Sequence, residues 1–212
     1  MDYKPLQYLY QPAARPGLPT LLLLHGTGGD ERDLLPLAKN FGPDLNVLSV
    51  RGNVLESGRP RFFKRLGMGV FDEQDLRFRT HELVHFLWEL APREGFDPEQ
   101  LWALGYSNGA NIAGGVLMLY PAFLAGAILF RPMQPLADEP VFPTSRKQPV
   151  FFSAGKHDPT VDPAATDHYS RLLENNGFWV SRHDLEAGHQ LTQQDVHLSV
   201  QWYQSQADRL MS

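Results

Sequence analysis

Short apolar runs alternate with stretches of helical periodicity along almost the whole chain. Leu18 to His25 reads as a buried strand, Glu31 to Phe41 as a helix, Leu45 to Arg51 as a strand, and Asp72 to Glu94 as a long helix. Leu101 to Tyr106 predicts the next strand and Ala110 to Tyr120 a small-residue helix, followed by strands at Leu124 to Phe130 and Val150 to Ala154. A helix around Ala164 to Asn175, a strand at Trp179 to Leu185 and a closing helix from Thr192 to Leu210 complete the series, and Tyr3 to Gln11 adds an edge strand. Repetition of this kind predicts an α/β fold with a mostly parallel central sheet and helices on both faces.

In such sheets the ligand crevice lies beyond the carboxyl ends of the strands. His25-Gly26-Thr27-Gly28-Gly29, Ser107, Gly155-Lys156-His157-Asp158 and Gly188-His189 all fall at strand ends, so four polar segments are predicted to share one rim. Two stretches, Gly52 to Gly69 and Arg131 to Gln148, read as long irregular loops, and loops of that length in a compact domain tend to be functional.

A chain of 212 residues, 42% hydrophobic and 20% charged, suits a single domain over 1–212 with a full core. A formal charge of −5 gives no electrostatic reason to expect nucleic-acid partners. No run approaches the length of a membrane span and the N-terminal residues lack a signal-peptide pattern, so the expectation is a cytoplasmic protein without stable membrane insertion. The absence of cysteine removes thiolate nucleophiles and Cys-based metal sites.

Chemistry concentrates at Gly105-Tyr106-Ser107-Asn108-Gly109, a GxSxG string between a strand and a helix. In that setting the turn is so tight that side chains at the two glycines would collide with neighbouring elements, and the serine is left projecting from strained backbone. The bare string arises by chance in roughly 0.07 of chains of this composition, so its context must carry the argument. A serine hydroxyl needs a base to take its proton and an acid to hold that base in the useful tautomer. His189, on the Gly-His turn after the last strand, is the best base. Asp158, ending its strand before Pro159, is the best acid, with Asp162 and Asp184 in reserve, and His157 reads as a loop residue. Negative charge developing on a substrate carbonyl needs preset donors. The Asn108 amide at a helix start is one candidate, and the Thr27 amide in the glycine-rich loop is the other. That loop lacks the GxxxxGK[ST] pattern, and Asp30 and Glu31 would repel a phosphate.

Together, His25 to Glu31, Arg51-Gly52-Asn53, Gly105 to Ala110, His157 to Val161 and Gly188-His189 resemble the phospholipase/carboxylesterase family of small α/β-hydrolases, which is similar to acyl-protein thioesterases. Pro60 to Arg65 and Gly69 to Asp72 further resemble a bacterial subgroup found beside quinone-stress and aromatic-ring-cleavage genes. The resemblance implies a cofactor-free carboxylesterase of small-molecule esters, with Ser107, Asp158 and His189 as triad and Thr27 and Asn108 as oxyanion donors; thioesterase or lysophospholipase activity is the neighbouring alternative. It also admits a homodimer, which no residue demonstrates. Asn108 departs from the glutamine that thioesterase-like members place after the serine, a change that spares the backbone amide. Only a short Pro-rich loop separates the Leu124 and Val150 strands, so no large cap domain is expected. Phe62, Phe63, Met68, Phe71 and Met133 either provide an apolar substrate wall or, as aromatics in a loop commonly do, anchor the loop to the body, and Arg59, Arg61, Lys64 and Arg65 either favour an acidic substrate or form a solvated basic loop.

One motif competes. His81-Glu82-Leu83-Val84-His85 is an HExxH string, expected in roughly 0.01 of such chains and therefore rarer than the serine turn. Trp88 and Ala91 occupy the Gly and His places of the extended zinc-peptidase pattern, and Leu83, Phe86, Leu87 and Leu90 form a core-facing stripe. The expectation is that this helix covers the sheet away from the rim and holds no metal. A hydrolase fold retained for binding alone is the remaining alternative, against which the complete set of triad residues argues.

Overall fold

The computed structural model describes residues 3–137 and 143–210; residues 138–142, within the Pro-rich loop, lie outside the described residues. Its centre is a seven-stranded sheet: β1 (Gln7–Gln11), β2 (Thr20–Leu24), β3 (Asn46–Arg51), β8 (Leu101–Tyr106), β9 (Gly126–Phe130), β10 (Pro149–Gly155) and β11 (Trp179–Leu185). Two small hairpins stand between β3 and β8, formed by β4 (Val54–Glu56) with β5 (Arg59–Arg61) and by β6 (Arg65–Gly67) with β7 (Val70–Phe71). The sheet order is β1-β3-β2-β8-β9-β10-β11, with β1 antiparallel at one edge and the other six strands parallel.

Helices α2 (Glu73–Glu94), α3 (Asn108–Leu119) and α4 (Pro163–Asn175) cover one face, and α1 (Leu35–Ala38) and α5 (Gln193–Leu210) the other. The period-two geometry of a strand divides β2 between the two cores. Leu22 and Leu24 pack with Leu76, Leu83 and Ile112, whereas Leu21 and Leu23 pack with Phe41, Trp102 and Tyr203. Because both faces are covered, β2, β8 and β9 are apolar over nearly their whole length. The α/β-hydrolase architecture read from the sequence is thus the architecture of the protein.

Two local readings need correction. Glu31 to Phe41 is not one helix: the chain makes turns until Leu34, Pro36 supplies the fixed φ of a first helical turn, and α1 passes into a short 3-10 turn at Lys39–Phe41. Gly52 to Gly69 is not irregular, since it contains β4, β5 and β6 in strands too short to show a period. Among the described residues no helix is long and apolar enough to cross a membrane.

Candidate active site

In-register pairing sets the rim. Leu24 at the end of β2 pairs with Val50 of β3 and Gly105 of β8, while Tyr106 pairs with Phe130, so His25, Arg51, Ser107 and Arg131 leave adjacent strands at nearly one level. Ser107 has φ 52° and ψ −113°, a conformation that L-residues avoid. The closeness of the packing shows why only glycine serves beside it: a Cβ on Gly105 would come within 2.5 Å of the Gly109 carbonyl, and one on Gly109 would overlap the Leu24 carbonyl. The strained turn is pinned by the Ser107 amide donating to Phe130 O at 2.9 Å and the Asn111 amide donating to Ser107 O at 2.9 Å.

Ser107, Asp158 and His189, distant in sequence, come together. Ser107 Oγ lies 2.9 Å from His189 Nε2, and His189 Nδ1 lies 2.6 Å from Asp158 Oδ2. The other carboxylate oxygen of Asp158 accepts the Thr160 hydroxyl at 2.6 Å and the Thr160 amide at 2.9 Å. Burial alone would raise the Asp158 pKa, but these two donations and the His189 contact outweigh it and hold the carboxyl below its ordinary range. An ionised Asp158 draws the imidazole proton to Nδ1 and leaves Nε2 free to accept from the serine hydroxyl. Asp162 instead caps α4, Asp184 pairs with Arg182 on β11, and His157 pairs with Glu186 on the surface.

The loop carrying Thr27 is fixed from below. His25 is buried; its Nδ1–H donates to Gly26 O at 2.7 Å and its Nε2 accepts the Gly52 amide at 3.1 Å, so the imidazole is neutral and bridges two strand-end loops. Burial lowers its pKa accordingly. Buried Glu31 accepts a two-pronged ion pair from Arg51 at 2.5 and 2.9 Å, and the Arg51 contact holds its carboxyl below the ordinary range. The Gly28 amide donates to Pro60 O at 2.9 Å, joining the loop to the β4–β5 hairpin.

On the opposite side, Arg131 adopts φ 54° and is fully buried against Asp195. Its guanidinium donates to both Asp195 oxygens at 2.7 and 2.8 Å, to Ser153 Oγ at 2.9 Å, and to the carbonyls of Gly188 and Gln190 at 2.9 and 3.1 Å. Those two carbonyls flank His189, so a buried ion pair grips the histidine loop on both sides. Tyr106 adds its hydroxyl to His189 O at 3.2 Å. Neither Thr160 nor Arg131 is singled out by the sequence reading; a threonine two residues past the acid was the available signal for the first, whereas the second depends on a partner 64 positions away.

A cleft of about 440 Å³ opens over Ser107 and His189, lined also by Thr27, Asn108, Met68, Phe71 and Met133. Phe62 and Phe63 do not line it. Both are buried, Phe62 against the His25 ring and Phe63 edge-on to Phe71, so they anchor the hairpins to the body instead of walling the site. Asn108 Oδ1 accepts the Phe62 amide at 2.7 Å, which assigns that side chain to holding the hairpin segment against the serine turn. The HExxH helix lies on the sheet face: His81 Nδ1 shares a hydrogen bond with Tyr120 Oη at 2.5 Å, Glu82 is buried and paired with Arg79, and His85 sits beside Glu89. Among the described residues no group of three or more metal-ligating side chains converges.

Strand topology, nucleophile-type turn and rim define an α/β-hydrolase. No protein-family model matches the chain. It is, however, 48% identical over 183 residues to "Putative hydrolase MhqD" of Bacillus subtilis (strain 168), covering 86% of this chain and 91% of that protein. The crystal structure of the Bacillus cereus carboxylesterase superposes with a TM-score of 0.91 at 46% identity over 94% of each chain, and the structure of YahD with malic acid with a TM-score of 0.88 at 32% identity over 94% of this chain and 98% of that one. The chain belongs to the phospholipase/carboxylesterase family of small α/β-hydrolases and is a carboxylesterase-type hydrolase.

Proposed function

We propose that the protein hydrolyses small carboxylic esters through a Ser107-His189-Asp158 triad and an acyl-enzyme. The observation that carries this reading is the unbroken chain of contacts, 2.9 Å from Ser107 Oγ to His189 Nε2 and 2.6 Å from His189 Nδ1 to Asp158 Oδ2. In the first half-reaction His189 takes the hydroxyl proton as Ser107 Oγ bonds to the ester carbonyl carbon, and the resulting imidazolium is stabilised by Asp158. The carbonyl oxygen, now anionic, accepts from the backbone amides of Thr27 and Asn108, the latter at the positive end of α3. Collapse expels the alcohol, which takes its proton from His189. A water activated by the same imidazole then releases the acid and restores Ser107.

An open cleft of about 440 Å³ with Met68, Phe71 and Met133 on its wall suits short or flexible acyl and alcohol groups. The test is hydrolysis of p-nitrophenyl esters of increasing chain length by the wild-type protein and by Ser107→Ala, with and without a chelator. The expected result is chelator-insensitive turnover lost by at least a thousandfold in the variant. Turnover that survives the substitution, or that a chelator stops, overturns the proposal.

A further inference from the structure

The cations around the cleft are not equivalent. Arg61 and Arg65 share the Glu56 carboxylate, with Arg61 Nη1 at 3.1 Å and Arg65 Nε and Nη2 at 2.8 and 2.9 Å. Lys64 faces Asp75 at 4.0 Å, and Arg131 is neutralised by Asp195. Arg59 is exposed, lines the cleft, and makes no ion pair with a carboxylate among the described residues. No Asp or Glu lines the cleft among those residues, and the Asp158 carboxylate lies on the far side of the imidazole from Ser107, spent on His189 and Thr160. Among the described residues the four arginines lining the cleft meet only two carboxylates, Glu56 and Asp195, and Arg59 is the one whose charge has no acidic partner.

Position gives that charge a use. The Arg59 stem lies across Gly28: a Cβ built there would sit 3.6 Å from Arg59 Cδ, and the next residue in the hairpin, Pro60, accepts the Gly28 amide at 2.9 Å. The guanidinium is thereby carried on a tethered hairpin beside the Thr27 loop, in a cleft whose lining also includes the apolar Met68, Phe71 and Met133. A planar fork of donors with no internal partner recognises a carboxylate in two-pronged fashion. We propose that Arg59 is a specificity residue that selects esters bearing a carboxylate, on an apolar body, over their neutral counterparts. This rests on the serine-esterase reading above.

The test compares matched substrates. In the acyl arm, 4-nitrophenyl hemiglutarate is set against its methyl ester; in the alcohol arm, 4-carboxyphenyl butyrate is set against 4-carbamoylphenyl butyrate. The quantity read is the ratio of kcat/KM for charged over neutral substrate in wild type, Arg59→Lys, Arg59→Gln and Arg59→Glu. The ratio is expected to fall about five- to tenfold in Arg59→Gln in one arm at least, to fall further in Arg59→Glu and to be partly kept by Arg59→Lys. In wild type it should shrink in 0.5 M salt, as an exposed charge contact must. The arm that responds identifies the side of the ester carrying the anion. Ratios equal within twofold in wild type and Arg59→Gln, in both arms, overturn the proposal. Absence of turnover of all four substrates by wild type would instead count against the esterase reading itself.

Discussion

Replacing Arg131 by methionine should cost more stability than any single surface change and should damage catalysis through a residue that touches no reacting atom. Both members of the Arg131–Asp195 pair have side chains with 0% exposure. Removal of one partner of a buried ion pair costs about 3–5 kcal/mol, because the remaining charge stays desolvated. Asp195 would keep the Ser153 hydroxyl at 2.5 Å and the Thr192 amide and hydroxyl at 2.8 Å each, which places the expected loss at the lower end, about 3 kcal/mol. For a domain of this size that corresponds to a fall in Tm of about 6–12 °C. Because Gly188 and Gln190 lose their donor together, the His189 loop loosens and kcat should fall at least about tenfold with a smaller change in KM. Thermal unfolding and steady-state hydrolysis of a p-nitrophenyl ester measure both. The double variant Arg131→Met/Asp195→Leu, which buries no lone charge, should recover part of the stability but not of the rate. A Tm within 2 °C of wild type and kcat within twofold for Arg131→Met would refute the reasoning.

Other consequences follow from the same geometry. Thr160→Val removes the hydroxyl donor to Asp158 and should raise that carboxyl's pKa toward its ordinary range, as followed by NMR titration of the Asp158 carboxyl carbon; a titration unmoved by the substitution would show that Thr160 does not tune the acid. Asp195 is also held below its ordinary range: burial acts to raise it, but the donations from Arg131, Ser153 and Thr192 prevail. A group depressed in the folded state stabilises fully above its unfolded pKa, about 3.9, and loses that contribution as the pH falls through the lower folded value. The Asp195 contribution should therefore be level from pH 7 to about 5 and decline below, on top of the stability that buried neutral His25 already removes as the pH falls through the unfolded histidine value, about 6.5. Below about pH 5 Asp195→Asn should decline less steeply than wild type, and parallel curves in that window would exclude Asp195 as a contributor.

The sheet and its rim were legible because each parallel strand is a buried apolar run ended by a polar or glycine-containing segment, as at Leu24-His25 and Tyr106-Ser107. The candidate site followed from the same strand ends. What escaped was whatever depends on partners far away in sequence or on elements too short for a period. Arg131 reads as one more loop arginine until Asp195 is placed against it, and His25 reads as the start of a glycine-rich loop until the Gly52 amide is seen to meet its ring. Phe62 and Phe63 were ambiguous because an aromatic pair in a loop can wall a pocket or anchor the loop, and hydrophobicity does not separate the two. The hairpins from Val54 to Phe71 carry glycine, proline and charge at nearly every turn, which masks strands of two or three residues. The HExxH string shows the reverse: a rare pattern whose His81 and Glu82 are spent on Tyr120 and Arg79 in the covering helix.

Incubation of the native protein with a fluorophosphonate, followed by mass spectrometry of the peptide containing Ser107, measures most directly whether this hydroxyl is an activated nucleophile. A stoichiometric adduct on Ser107, accompanied by loss of ester turnover and absent from Ser107→Ala, is the predicted result. An unmodified Ser107 in protein that continues to hydrolyse esters would contradict the account.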